Sequence, residues 1–336
     1  VGANVVKALA TAAKDKGIDV RTNAKVEKLI VKNGKVVGIQ YKGKNGVKTI
    51  NAKAVVIAAG GFGANQDLLT KINPKLKGFG TTNHPGATGD GITLGEKAGA
   101  DTVDMSQIQT HPTVVPNNGE MITEAVRGNG AILVNQDGKR FINELQTRDV
   151  VSAAELKQPG KVGYLVFDTA TRKSLKAIET YIKKGLVTEG ATLDELADKL
   201  KINAANLKAT MEQYAKFQAD KKDAEFGRAD MPRPLTEGPW FAVQVTPAVH
   251  HTMGGLRINT EAQVLDKKGH VIPGLFAAGE VTGGVHGANR LGGNAMADIV
   301  TFGRIAGRNA AEQPTGVIVP RGQKPEDAEK AAVAGK

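Results

Sequence analysis

The feature that most constrains the fold is a run of apolar residues, Ala54-Val55-Val56-Ile57-Ala58-Ala59, that ends directly in Gly60-Gly61-Phe62-Gly63. A strand wetted on one face alternates apolar and polar residues. A continuous run instead implies a strand of a parallel sheet, buried on both faces. Upstream, short runs at 18–21, 26–31 and 36–41 alternate like strands, and Asn33-Gly34 makes a turn between the last two. Before them a helical repeat over 4–16 (Val5, Val6, Leu9, Ala12, Ala13) stops at Gly17. The order helix, small antiparallel meander, buried strand, glycine turn predicts an α/β chain with an interrupted dinucleotide-binding fold.

The pattern changes at about residue 106. Glycine turns thin out after Gly130, and polar helix-like stretches appear at 171–184 and 193–219, with turns at Lys183-Lys184-Gly185 and Lys221-Lys222-Asp223. Beyond 246 the glycine-rich pattern returns, followed by a helix over 294–309. The expected division is therefore 1–105 and 247–313 for the two parts of the dinucleotide-binding domain. Residues 106–246 form an inserted, more helical lobe, and 314–336, rich in Pro, Lys, Glu and Ala, form a tail or linker. The first residues read as the middle of a helix, so Val1 is expected to be a cut rather than a beginning.

Composition removes several classes of function. The 336 residues hold 45 Lys and Arg against 34 Asp and Glu, a net +11, and no Cys. Disulfide scaffolds, thiolate nucleophiles and Cys-ligated metals are excluded within this chain. No apolar run approaches the ~20 residues of a membrane helix. Lysines are spread along the chain and aromatic residues are only 4%, which argues against nucleic-acid binding.

No Gly-x-Gly-x-x-Gly follows a strand near the N-terminus, so the usual pyrophosphate turn is missing. What remains is Thr88-Gly89-Asp90-Gly91 and the helix-opening Leu291-Gly292-Gly293-Asn294-Ala295, loops that let backbone approach a flat ligand. Glu280, after Ala277-Ala278-Gly279, stands at a strand end, where it either holds a sugar hydroxyl or caps a helix. A second constellation is polar: His111-Pro112, Thr123 to Gly130, Thr147-Arg148-Asp149, His250-His251-Thr252-Met253-Gly254-Gly255 and His286-Gly287-Ala288-Asn289-Arg290. Any one of these is more often structural. Together they suggest a site that binds a small anion through several cationic and hydroxyl donors. Hydrolase, metalloprotease and kinase motifs are absent.

Thr82-Asn83-His84-Pro85-Gly86-Ala87-Thr88-Gly89-Asp90-Gly91, the 123–130 segment, 250–255 and 285–294 together resemble the succinate dehydrogenase and fumarate reductase flavoprotein family. The flavin portions of its flavocytochrome c branch are the most similar. The resemblance covers residues 2 to about 313, without the family's electron-carrier domain and first glycine fingerprint. It implies an FAD-binding Rossmann-like domain, its N-terminal part missing, with an inserted α+β capping domain that clamps substrate. It implies non-covalent FAD lined by Ala24, Asp90, His251, Glu280, Ala295 and Met296. Fumarate would be held by His111, Thr123, His250, Arg290 and the Gly293 backbone, and reduced to succinate. Arg148 would donate the proton, resupplied through Glu124 and Arg127, and no metal is called for. An arginine normally stays protonated, so the opposing reading is that Arg148 only positions substrate while water supplies the proton.

The urocanate-reducing branch places Tyr and Asp where His111 and Glu124 stand, so His111, Met121 and Glu124 look like the fumarate set. The alternatives are a sister enoate reductase and a non-catalytic flavin-binding fragment. The implied partner is an electron donor: a cytochrome, a haem or FMN domain, or a quinol-linked carrier. Composition and the most similar branch favour the periplasm, and relatives also work in the cytoplasm. Because the pyrophosphate turn is missing, residues 1–336 expressed alone should bind FAD weakly or not at all. A flavin titration checks this; a stoichiometric yellow protein of sub-micromolar affinity would contradict it.

Overall fold

The computed structural model describes residues 2–312, and the expected tail at 314–336 lies outside them. Strand Val55–Ile57 pairs in parallel with Val271–Ala277, Val55 opposite Leu275 and Ile57 opposite Ala277, and Gln263–Leu265 adds an antiparallel edge. The meander is Lys25–Lys32, Lys35–Gly43 and Gly46–Asn51. Its first turn has φ of +49° at Asn33 and +76° at Gly34, the two left-handed residues that a tight hairpin of this twist requires.

Two expectations fail here. Residues 18–21 form no strand; Ile18 and Val20 are exposed and no partner strand lies beside them. The 54–59 run is covered on one face only by the described residues. Ile57 joins a core with Phe62, Leu69, Ile92, Val249, Leu256, Leu275 and Val281, whereas Val56, Ala58 and Ala59 are exposed. Helix Gly2–Asp15 also buries none of its residues.

The residues expected to form the inserted lobe are organised by one strand, Trp240–His251. Its first half pairs with Gly163–Asp168 and Thr188–Gly190, and its second half with Gln109–Val114. The border expected at 246 thus falls inside a strand that carries the sheet of the lobe into the site. Strand alternation sends Val166 and Ala242 to a core with Leu207 and Tyr214. Leu165, Phe167, Phe241 and Val243 face the opposite core, which contains Leu133 and Ile178.

The expected 171–184 helix is two, Thr169–Ser174 and Lys176–Lys183, parted where Leu175 is extended at φ −144°. The 193–219 helix also breaks, into Leu193–Leu200 and Ala204–Ala219. Lys201 turns left-handed, and the Asn203 side chain accepts from the Asn206 N–H to start the second helix. The Gly185 and Lys221 turns and the last helix, Asn294–Glu312, lie where expected. No helix among the described residues is long and apolar enough to cross a membrane.

The strand Gly255–Arg257 runs so close to its neighbour that a Cβ on Gly255 would lie 2.1 Å from the Val281 carbonyl oxygen. Backbone cannot rotate away as a side chain can. Gly255→Ala should therefore cost about 2 kcal/mol or more, read as a lowered denaturant midpoint. An unchanged midpoint would contradict the close approach.

Candidate active site

Gln109 and His111 lie two residues apart on one strand, so both side chains leave the same face. His111 sits opposite Ala248 and Gln109 opposite His251. Two short helices complete the frame. Thr123 caps Glu124–Gly128, its hydroxyl accepting from the Ala125 N–H, and Arg148 opens the helix Arg148–Glu155. Residues distant in sequence are thereby brought to one place.

Arg148 is 7% exposed and donates through Nε to Glu124 Oε1 at 2.7 Å and through Nη2 to Oε2 at 2.9 Å, a bidentate pair. Its remaining Nη1 donates to Gln109 Oε1 at 2.9 Å. Arg127 approaches the same Glu124 at 3.7 Å, giving a line Arg127–Glu124–Arg148. The Arg148 hydrogen bond holds the Glu124 carboxyl below its ordinary value, so it is ionised. Gly292 closes over this pair: a Cβ there would lie 2.6 Å from Glu124 Oε2. Gln109 Nε2 also donates to the Arg290 carbonyl at 2.7 Å and to Asn289 Oδ1 at 2.6 Å, tying the 286–294 loop to Arg148. Sequence reasoning passed over Gln109; its signal was the two-residue spacing from His111.

His111 is fully buried, its ring edge-on to His250 at 5.3 Å between centroids. The Thr113 N–H donates to His111 Nδ1 at 3.3 Å, which leaves the proton on Nε2. That Nε2 has no partner among the described residues, and neither has Arg290 Nε. His250 Nδ1 lies 2.7 Å from the Thr82 hydroxyl, and Asn83 holds the His250 carbonyl at 2.9 Å. Burial first, then the cationic neighbours, pushes His111 well below its ordinary value, His250 down to about 4 and His251 down to about 3. The imidazoles are therefore neutral. Burial and then Arg148 also lower Arg290, which is 6% exposed.

A second group of polar residues packs around the glycine turn at 60–63. Glu280 Oε1 accepts from the Thr252 N–H at 2.9 Å, Thr252 Oγ1 accepts from the Phe62 N–H at 3.2 Å, and Gly61 carries no side chain that would strike both. Burial raises the Glu280 carboxyl. His251 lies 4.0 Å from Glu280 and edge-on to His286, which pairs with Asp298 at 2.9 Å on the last helix. Asp90 accepts from Thr88 at 2.9 Å and faces Lys25, beside Ala24, at 3.6 Å. Ala295 and Met296 stand in the first turn of that last helix, Met296 exposed with Ile299 and Val300. Carboxylates at a strand end and a helix start, an open apolar helix face and close-packed glycine suit a flat, hydroxyl-bearing cofactor such as FAD. Thr252 and the His286–Asp298 pair were not singled out for this role from sequence.

A neutral buried histidine links stability to pH. Its folded-state affinity for protons is depressed, so the unfolded chain binds more protons and stability falls as pH drops. For His250 the window runs from 6.5 down to about 4. The stability advantage of the wild type over His250→Gln should shrink steadily across that window, as read by thermal unfolding of both proteins. A constant difference would show that His250 is not held neutral.

Comparison with known proteins agrees with this geometry. A family model described as an FAD binding domain matches residues 1–296. A fumarate reductase (cytochrome) of Shewanella frigidimarina is 51% identical over 93% of this chain and 55% of its own length. An NADH:fumarate oxidoreductase of Klebsiella pneumoniae is 46% identical over 94% of this chain and 34% of its own. The solved open conformation of a flavocytochrome c3 fumarate reductase superposes with a TM-score of 0.78 at 47% identity, covering 92% of this chain and 55% of that one. The chain spans about half the length of the first of these curated relatives, or less. It belongs to the FAD-binding domain family of the succinate dehydrogenase and fumarate reductase flavoproteins.

Proposed function

We propose that the protein containing this chain reduces fumarate to succinate, with FAD as cofactor and electrons from a separate carrier. The observation that carries this reading is the bidentate Arg148–Glu124 pair, with Arg127 behind it and Gln109 holding its free nitrogen. Adding two electrons and two protons to an unactivated alkene needs a hydride on one carbon and a proton on the other. FAD, when bound, supplies the hydride. The residues described here do the rest.

Neutral His111 presents Nε2–H, His250 stands against it, and Arg290 offers an unpartnered Nε–H; these donors suit one carboxylate of a dicarboxylate. Thr123 and the Gly293 backbone complete the clamp. Arg127, Arg148 and Arg290 concentrate positive charge, which stabilises the negative charge that builds on the substrate as hydride arrives. His111, Arg127, Arg148 and Arg290 are themselves buried, so that stabilisation is only weakly screened.

Arg148 gives its proton only as carbanion character develops, and the short Glu124 hydrogen bonds provide the route of resupply from Arg127. His251, Glu280, Asp90, Ala24, Ala295 and Met296 serve the cofactor side.

In the full-length, flavin-loaded protein, Arg148→Ala should lower kcat by several orders of magnitude, since it removes both the proton and a charge at the carbanion. Replacing His250 or Arg290 should raise KM as well as lower kcat, because those groups hold carboxylate in the ground state too. Steady-state fumarate reduction with a reduced artificial donor measures both. An Arg148→Ala enzyme that keeps more than about a tenth of the wild-type kcat, only ~1.4 kcal/mol of barrier, would refute the donor role.

A further inference from the structure

The helix that begins with Arg148 buries a second acid. Arg148, Ser152 and Glu155 are spaced i, i+4, i+7 and lie on its buried face. Glu155 is fully buried, and neither carboxylate oxygen has a hydrogen-bond partner among the described residues. Ser152 Oγ and Arg127 Nε are buried and unpartnered in the same sense. Native proteins rarely leave such atoms orphaned; ordered water bridges them. Gly163 packs directly against the acid: a Cβ there would lie 3.1 Å from Glu155 Oε1 and 3.5 Å from the Phe141 ring, so only glycine leaves the carboxyl unobstructed on that side.

The charged group that acts on Glu155 from a neighbouring element is Arg127, which in turn feels Glu124, Arg148 and Glu144. The Gly163 N–H faces the carboxylate from the adjoining strand. Burial outweighs both and raises Glu155 well above the ordinary carboxyl range, which favours its protonated form.

We propose that Glu155 is the proton store behind the catalytic line, passing its proton through water beside Ser152 to Arg127 and so to Glu124 and Arg148. The inference rests on the fumarate-reducing reading above and extends it by one residue. The balance is simple. Each turnover moves one proton from Arg148 to the substrate carbon; the ionised Glu124 takes one from Arg127 and passes it to Arg148, Arg127 regains one from Glu155, and the Glu155 carboxylate is reprotonated from solvent. No electrons move along this line. Glu155 touches neither substrate nor cofactor and is a positioning and relay residue.

The test is Glu155→Gln in the full-length, flavin-loaded protein, whose amide keeps the shape of the protonated acid but releases no proton. Stopped-flow reoxidation of reduced flavin by fumarate is followed across pH in H2O and D2O. A kcat lowered by more than about tenfold, with KM within about twofold, an enlarged solvent isotope effect and partial recovery in Glu155→Asp, is expected. A smaller loss, or a loss matched by a rise in KM, overturns the relay. If Glu155→Gln does not retain flavin, Ser152→Ala decides: a larger solvent isotope effect than wild type supports the relay, and an unchanged one overturns it. Failure of the wild-type protein to oxidise its flavin with fumarate overturns the underlying reading instead.

Discussion

Three guanidinium groups, Arg127, Arg148 and Arg290, are buried close together, and Glu124 is the only carboxylate hydrogen-bonded to any of them among the described residues. Taking a charge out of water costs several kcal/mol. The carboxylates of Glu144 near Arg127 and of Glu280 and Asp298 near Arg290 act through space only, without a hydrogen bond to these guanidinium groups. A dianionic substrate would add the direct partners that the group lacks. Burial first, and this positive charge after it, depress His111 and His250 and keep them neutral.

The fold offsets that cost with polar packing beneath the site. Arg228, wholly buried, donates to the Arg127 carbonyl at 2.7 Å, the Ala131 carbonyl at 2.9 Å and Glu144 Oε2 at 3.2 Å. Arg140 pairs twice with Glu144 at 2.8 Å and reaches Asp223 at 3.0 Å. Removing one member of such a buried network strands the others, at roughly 3–5 kcal/mol. The helix that carries Glu124 and Arg127 is thus pinned from below while its start faces the site. On the opposite side, the Trp240–His251 strand places His250 and His251 at its end, so one strand joins the Gly163–Asp168 strand to the Gln109–Val114 strand.

Much of this was legible in the sequence because local rules decide it. Asn33-Gly34 requires its hairpin, and Thr123, as a helix cap, starts the helix bearing Glu124. What was not legible depends on tertiary context. Lys201 adopts φ +57°, a conformation that no lysine signals, so the long helical pattern over 193–219 hid a break. The apolar run at 54–59 says that both faces avoid water, not what covers them, and Val56 is open in the described residues. Gln109 looks unremarkable in sequence; its role comes from lying opposite His251 and beneath the 286–294 loop. Glu155 and Ser152 were invisible as a pair until the buried face of the Arg148 helix was known.

The most direct test of the central claim, that this cationic pocket is built for a dicarboxylate, is substrate-dependent reoxidation of the reduced flavin in the full-length protein. Fumarate and urocanate are compared under identical conditions. The account predicts saturable reoxidation by fumarate, with urocanate far slower in kcat/KM because it brings one carboxylate to a site charged for two. Comparable kcat/KM for the two substrates would contradict it.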